Sequence, residues 1–173
     1  MPKRLILIAL AMIIVVPLAA AAPPTGFLDT PVASVPSPTA LAFTPDGRML
    51  VTTQTGQLRV FQNGAPLATA LDLRAPNLAC VNHERGLLGL AVDPSFTANH
   101  YIYLYYTFNK FPSTVAAENC PDVQPTNPNN PVNRVVRFTL PDTNSIDLAS
   151  EFVLIDNMPS TRGNHNAGDL HFD

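Results

Sequence analysis

Residues 39–61 read TALAFTPDGRMLVTTQTGQLRVF, and this run shows the structural unit from which the chain is built. Its apolar stretches at 39–43, 49–53 and 57–61 are separated by turn-forming residues. Proline, aspartate and glycine at 45–47 are the residue types that tight turns favour. Asn63-Gly64 is a hairpin dipeptide that leads into a further apolar run at 68–73. The sequence therefore predicts four short antiparallel strands joined by tight turns.

The same four-strand pattern then recurs along the chain. Its second copy has apolar runs at 86–92, 101–107, 133–138 and 152–155, and a third copy opens at 169–172. Four antiparallel strands per unit, at a period of roughly 40–50 residues, are typical of a β-propeller blade. A β-sandwich also contains short strands between turns, but it does not explain why whole four-strand units recur. We therefore predict an all-β chain with the β-propeller fold.

The first residues have the features of an export signal. Lys3 and Arg4 precede an apolar run at 5–18 and four alanines at 19–22, which predicts a cleaved signal peptide over residues 1–22. A membrane anchor is the alternative, although the apolar run is short for a span of about 20 residues. Residues 23–37, rich in proline, serine and threonine, are predicted to be a lead-in segment.

The propeller part is predicted to occupy residues 38–173. Blade one covers about 38–75, blade two about 84–158 with a proline-rich loop insertion at 108–132, and blade three begins at about 162–173. Propellers close with roughly four to eight blades. We therefore expect these residues to be the N-terminal fragment of a longer protein, with about two blades and the first strand of a third, and to be inactive alone.

The charge of the chain excludes some classes of partner. The formal net charge is −3, and loss of Lys3 and Arg4 with the signal peptide leaves eight basic against 13 acidic residues, a net charge of −5. Nucleic acids and anionic membranes attract basic surfaces. We therefore expect no nucleic-acid partner, and no membrane span after signal cleavage.

The chain has two cysteines, Cys80 and Cys120. In an oxidising compartment such a pair is most simply a disulfide. Two buried free thiols, or a cysteine partner elsewhere, are the alternatives. A bridge would attach the loop insertion to the junction between the two blades.

Two polar loops are the candidate functional site. Residues 82–86 precede blade two and residues 162–166 precede blade three, and rotation from blade to blade should bring them together at one mouth of the channel. His165 is the candidate proton acceptor, because an imidazole exchanges protons near neutral pH. The carboxamides of Asn164 and Asn166 could orient its ring. An exposed turn histidine, and a local Glu84–Arg85 surface ion pair, are the structural alternatives.

The remaining histidines are weaker candidates. His83 and His100 are predicted to lie in exposed loops, and His171 to be a strand residue that faces away from Leu170 and Phe172. No zinc-ligand spacing and no calcium-loop motif are present, so we predict no metal ligand among these residues.

Four sequence blocks in this order resemble one family. Residues 38–47, 84–91, 101–107 and 164–170 are together similar to the soluble glucose/sorbosone (aldose sugar) dehydrogenases, which include a hedgehog-interacting-protein-like branch. The resemblance implies a six-bladed propeller that binds pyrroloquinoline quinone (PQQ) and calcium, whose main ligands would lie beyond residue 173. It also implies a sugar substrate, an external electron acceptor, and a secreted or periplasmic location.

The resemblance also implies roles for particular residues. His165 matches the catalytic base, which takes the proton of the sugar's anomeric hydroxyl while a hydride passes to the quinone. Asn164 stands where an aspartate often supports the imidazolium, and Glu84 where the glucose enzymes carry a glutamine near quinone and substrate. Arg85 could pair with Glu84 there, and Ala167 stands where a glycine is common. Non-catalytic binding and, less favoured, lactonase-type hydrolysis are the alternative functions.

Overall fold

The computed structural model describes residues 23–122 and 131–173. The predicted signal peptide, residues 1–22, lies outside the described residues, as does the part of the loop insertion at 123–130. Residues 23–31 belong to a unit of their own, in which the Phe27 amide donates to the Pro24 carbonyl at 3.0 Å. Residues 32–173 form the second unit, which holds all the strands.

The first sheet contains four antiparallel strands in chain order. They are β1 (Pro38–Phe43), β2 (Met49–Thr53), β3 (Gln57–Gln62) and β4 (Ala65–Asp72). The predicted turn after β1 is closed by the Gly47 amide, which donates to the Thr44 carbonyl at 3.0 Å. Asn63 and Gly64 both have positive φ, 52° and 75°, as a two-residue hairpin of the right twist requires.

The second sheet repeats this order. It contains β5 (Leu87–Val92), β6 (Tyr101–Phe108), β7 (Val132–Thr139) and β8 (Phe152–Pro159). A short helix α1 (Phe96–Asn99) lies between β5 and β6, and single 3₁₀ turns occur at Ala117–Asn119 and Leu148–Ser150. The predicted all-β chain of repeated four-stranded antiparallel units is confirmed.

The two sheets pack face to face around one apolar core. Leu50, Leu58 and Val60 of the first sheet meet Ile102, Leu104, Tyr106, Val136 and Phe138 of the second, and all of them are fully buried. The first strands of the sheets, β1 and β5, lie beside each other, and the Thr39 hydroxyl donates to the Leu87 carbonyl at 2.6 Å. In a propeller the innermost strands of successive blades are neighbours around the channel, so β1 and β5 mark the side of each sheet that faces the predicted channel.

The start of the third copy lies against the second sheet. A Cβ added to Gly89 of β5 would stand 1.8 Å from the Gly168 carbonyl oxygen, and the Phe172 ring meets the Tyr103 ring edge-on at 5.1 Å. Residues 169–172 form no strand ladder, which needs a neighbouring strand for its hydrogen bonds. These residues therefore occupy the place of the predicted strand without its pairing.

Candidate active site

The two predicted polar loops are in direct contact. We call residues 82–86 the mouth loop and residues 163–168 the histidine turn. The Glu84 amide donates to the Gly163 carbonyl at 2.9 Å, and the His165 amide donates to Glu84 Oε2 at 2.7 Å. The His83 ring packs on Gly163 so closely that an added Cβ there would lie 2.5 Å from it. Backbone and carboxylate together therefore hold the mouth loop against the histidine turn.

The first sheet also reaches the mouth loop, through Gln54. Its Nε2 donates to the His83 carbonyl at 2.6 Å and to the Arg85 carbonyl at 3.2 Å. A Cβ on Gly86 would lie 2.2 Å from the Gln54 carbonyl oxygen, so the two backbones touch. Gln54 was not a predicted site residue, because in sequence it is one polar residue of an ordinary turn.

His165 and Asn164 are both exposed in the histidine turn. His165 has a left-handed backbone, with φ of 62°. Among residues 23–122 and 131–173, no hydrogen bond or ion pair reaches the His165 ring, so its nitrogens are open to a ligand or to water. The Asn166 carboxamide, predicted to help orient this ring, is instead buried and forms its hydrogen bonds elsewhere.

The Arg85 side chain does not face the site. It is fully buried; its Nε donates to Ser160 Oγ at 3.1 Å, and its Nη2 to the Ser160 carbonyl and to Asp122, both at 3.0 Å. Its ionic partner is thus Asp122 and not Glu84, so the alternative of a local Glu84–Arg85 surface ion pair is not what forms. Burial lowers the pKa of Arg85, and the Asp122 carboxylate opposes that shift. Because the guanidinium is buried and its donors are occupied, Arg85 stabilises the mouth loop and does not contact a ligand at the surface.

Cys80 and Cys120 form a disulfide with a Cα–Cα distance of 5.7 Å. It joins the connection between β4 and β5 to the loop that follows β6. The Cys120 carbonyl accepts from Asn82 Nδ2 at 2.8 Å and from Arg85 Nη1 at 3.3 Å. The disulfide therefore fixes the Cys120 carbonyl, which accepts hydrogen bonds from two residues of the mouth loop.

A depression of about 530 Å³ lies beside the histidine turn, between β1, β5 and residues 167–171. Its volume lies in the range of small-molecule sites, roughly 300–1,000 Å³. His171 and Asp169 line it, with His171 Nε2 and Asp169 Oδ2 3.0 Å apart and both side chains exposed.

Two further features concern metals and membranes. The described parts of the chain contain no group of three or more histidine, cysteine, aspartate or glutamate residues placed to hold a metal ion. Within these same parts, no helix has the length and apolar character that crossing a membrane requires.

Comparison with known proteins finds one family model and several solved structures that this chain resembles. The model of the family Glucose / Sorbosone dehydrogenase matches residues 35–173. A glucose dehydrogenase of Thermus thermophilus is 30% identical, with a TM-score of 0.52, over 72% of this chain and 30% of that one. No curated protein matches the sequence.

A second solved structure shares the fold at lower identity. The PQQ-bound aldose sugar dehydrogenase of Streptomyces coelicolor is 19% identical, with a TM-score of 0.54, over 76% of this chain and 34% of that one. The chain thus spans about a third of the length of these structures. The two four-stranded sheets are blades of a β-propeller, as predicted. The family model covers most of the sequence, and the chain belongs to the glucose/sorbosone dehydrogenase family.

Proposed function

We propose that this chain supplies the catalytic base of an exported, PQQ-dependent aldose dehydrogenase. The observation that carries the proposal is the exposed, unengaged His165 ring on a turn held by Glu84 and by buried hydrogen bonds. A base must be fixed in position yet free to receive a proton, and this arrangement provides both. Membership of the sugar dehydrogenase family supports the reaction class.

The residues of the mouth loop and the histidine turn suit hydrogen bonding to a sugar or a quinone better than they suit binding of the quinone's negative charges. The exposed Asn164 carboxamide and the His165 ring can donate and accept hydrogen bonds. An anionic quinone also needs positive charge, whereas Glu84 brings an exposed carboxylate and Arg85 is buried and paired. We therefore assign Asn164, Glu84 and His165 to contacts with the sugar and the reactive side of the quinone. The basic groups and calcium ligands implied by the resemblance are assigned to residues beyond 173.

In the proposed reaction, His165 accepts the proton of the anomeric hydroxyl as the sugar is oxidised. The quinone, when bound, supplies the two-electron acceptor for the hydride that leaves C1. The C1–O bond becomes a carbonyl, and the product is a lactone. The Glu84 carboxylate accepts from the His165 amide and so keeps the ring beside the sugar. An external electron acceptor would then reoxidise the reduced cofactor.

The proposed location is the periplasm or the exterior of the cell. The predicted signal peptide at residues 1–22 and the Cys80–Cys120 disulfide both support an oxidising compartment.

The test is aldose oxidation by the intact protein, loaded with PQQ and calcium, in wild-type and His165→Ala forms. Removal of a general base lowers kcat by about 10²–10⁴-fold. His100→Asn is the matched control: His100 lies in the α1–β6 connection with φ of 55°, a conformation that asparagine tolerates. Wild-type kcat in His165→Ala would refute the proposed role of His165.

A second candidate is a secreted binding module without turnover. The Glu84 carboxylate and the uncharged Asn164 favour it, because a carboxylate at the mouth repels an anionic quinone, and a carboxamide beside His165 has no charge to stabilise an imidazolium. Titration of the intact protein with PQQ, followed by fluorescence, separates the two functions. Saturable binding favours the dehydrogenase, and absence of binding favours the module.

A further inference from the structure

Asn166 is a buried carboxamide in a turn whose neighbouring side chains are exposed. Only 3% of its surface is accessible, whereas Asn164, His165 and Ala167 are all exposed. A buried amide without partners would be costly, so each of its groups needs an explanation. Neither the family resemblance nor the proposed chemistry gives this side chain a role.

The polar groups of Asn166 are engaged on several sides. Its Nδ2 donates to the Gly163 carbonyl at 3.0 Å, which closes the histidine turn on itself. Its Oδ1 accepts from Ser160 Oγ at 2.7 Å and from Asn133 Nδ2 at 3.2 Å. Its backbone carbonyl accepts from the Tyr105 hydroxyl at 2.5 Å. One residue therefore ties the turn to β6, to β7 and to the end of β8.

These partners are themselves held in place. Asn133 Oδ1 accepts from the Thr107 hydroxyl at 2.7 Å, and Ser160 Oγ accepts from Arg85 Nε at 3.1 Å. Thr107, Asn133, Ser160 and Arg85 are all buried. In a buried site hydrogen bonds are stronger than in water, and a fully satisfied network is rigid. The hydrogen bonds that hold the histidine turn are thus connected, through Ser160, to the buried Arg85 guanidinium of the mouth loop.

The backbone on both sides of Asn166 needs such an anchor. His165 has φ of 62° and Ala167 has φ of 56°, and left-handed backbone is unfavourable for residues other than glycine. A strained conformation persists only where its surroundings determine it. The hydrogen bonds of Asn166, together with the Glu84 carboxylate on the His165 amide, provide that determination.

We propose that Asn166 is the positioning residue of the proposed active site, through which the buried network sets where the His165 ring stands. Asn166 acts through the backbone of the turn, not through contact with the sugar. The inference rests on the proposed function, since it gives His165 a position that matters for proton transfer. It adds Asn166, Ser160, Asn133 and Tyr105 as residues whose loss reduces catalysis without removing a reacting group.

The test compares Asn166→Ala with Asn109→Ala in the intact, PQQ-loaded protein. Asn109 is a matched control, because it is also a fully buried asparagine, with Nδ2 donating to the carbonyls of Asn77 and Val115, outside the histidine turn. Displacement of a catalytic group by about 1 Å can cost around 100-fold in rate. We expect Asn166→Ala to lower kcat by about 100-fold with KM little changed, and Asn109→Ala to lower Tm with kcat unchanged.

A milder variant keeps the test valid if Asn166→Ala folds poorly. Tyr105→Phe removes only the hydroxyl that donates to the Asn166 carbonyl and leaves the buried ring in place. We expect it to fold and to lose about 5-fold in kcat, which corresponds to about 1 kcal/mol, the net free energy of one hydrogen bond.

A second readout does not depend on activity. Amide hydrogen exchange over residues 163–168 should be faster in Asn166→Ala and Tyr105→Phe than in the wild type, and unchanged in Asn109→Ala. Unchanged exchange in the turn, or a kcat loss in Asn166→Ala no larger than in Asn109→Ala, would overturn the positioning role. Wild-type kcat in His165→Ala would instead refute the proposed function, and the exchange result would then decide the anchoring by itself.

Discussion

Asn164 and Asn166 are the same residue type two positions apart, yet their surroundings are opposite. Asn164 is exposed, whereas Asn166 is 3% exposed and has partners on three strands or strand ends. Between them lies His165, whose backbone is left-handed with φ of 62°. The residue type alone therefore does not tell which carboxamide is open to solvent and which anchors the turn.

Ala167 is strained in the histidine turn, so a glycine there should stabilise the protein. Its φ of 56° costs an L-residue roughly 1–2 kcal/mol, part of which is offset because glycine makes the unfolded chain more flexible. We expect Ala167→Gly to raise the free energy of unfolding by about 0.5–1 kcal/mol, measured by urea denaturation.

The control for this prediction is an alanine with ordinary backbone. Ala116 has φ of −69°, so glycine gains nothing there, and Ala116→Gly should destabilise by about 0.5–1 kcal/mol. Equal destabilisation by both substitutions would show that glycine relieves no backbone strain at Ala167.

At the scale of elements, local patterns predicted the strands well. Residues 39–43, 49–53 and 57–61 were predicted from alternation and turn residues, and they correspond to β1, β2 and β3 within one residue at each end. Those signals are local, because strand periodicity and turn chemistry act over a few residues. The strand predicted at 152–155 was too short: β8 continues to Pro159, since pairing with β7 extends it beyond its apolar run.

The parts that sequence could not predict depend on contacts between distant residues. Arg85 resembles a surface residue in sequence, and only the fold shows the Ser160 and Asp122 groups that allow its burial. Adjacency of residues 82–86 and 163–168 could be predicted, because a repeated unit places equivalent loops together. The anchoring role of Asn166 could not, since its partners come from four separate positions.

The disulfide should contribute strongly to the stability of the second sheet. Cys80 and Cys120 are 40 residues apart, and a loop of that length corresponds to roughly 4 kcal/mol of stabilisation in the chain-entropy account. The double variant Cys80→Ser/Cys120→Ser should lose about that free energy of unfolding, measured by denaturation with and without a reducing agent.

Reduction supplies the control, because the chain has no other cysteines. Reduced wild type should match the double variant, and the variant should not respond to reductant. A variant as stable as the oxidised wild type would contradict the prediction.

At the scale of the molecule, polar links join the two sheets in addition to their shared apolar core. At the first strands, the Thr39 hydroxyl donates to the Leu87 carbonyl. A second link is Arg48, whose Nη1 donates to the Pro141 carbonyl at 3.1 Å and to Asn144 Oδ1 at 2.7 Å across the interface. The Arg48 side chain is 5% exposed, and Asp46 fixes its direction through Nε and Nη2. The carboxylate of Asp46 therefore orients a cation that joins one sheet to the other.

The packing of the two sheets should consequently weaken in acid. Hydrogen bonds from Arg48 hold the pKa of Asp46 at about 2, below its usual 3.8. Because the folded-state pKa is the lower one, this stabilisation is complete above about pH 4 and is lost as the pH falls from about 4 to 2. At neutral pH, Asp46→Ala should cost about 1–2 kcal/mol, a value reduced by screening because the Asp46 side chain is 42% exposed.

Asp72→Ala is the matched comparison for the link through Arg48. The pKa of Asp72 is also about 2, and its partner Arg74 likewise lies two residues further along the chain, but the Arg74 side chain is 49% exposed where that of Arg48 is 5% exposed. Because this pair joins nothing across the interface and is more open to solvent, its loss should cost under about 1 kcal/mol. Urea unfolding at pH 7, 4 and 2.5 measures the free energy of unfolding of both variants. An equal loss for the two at pH 7 would show that the link through Arg48 does not stabilise the packing of the sheets.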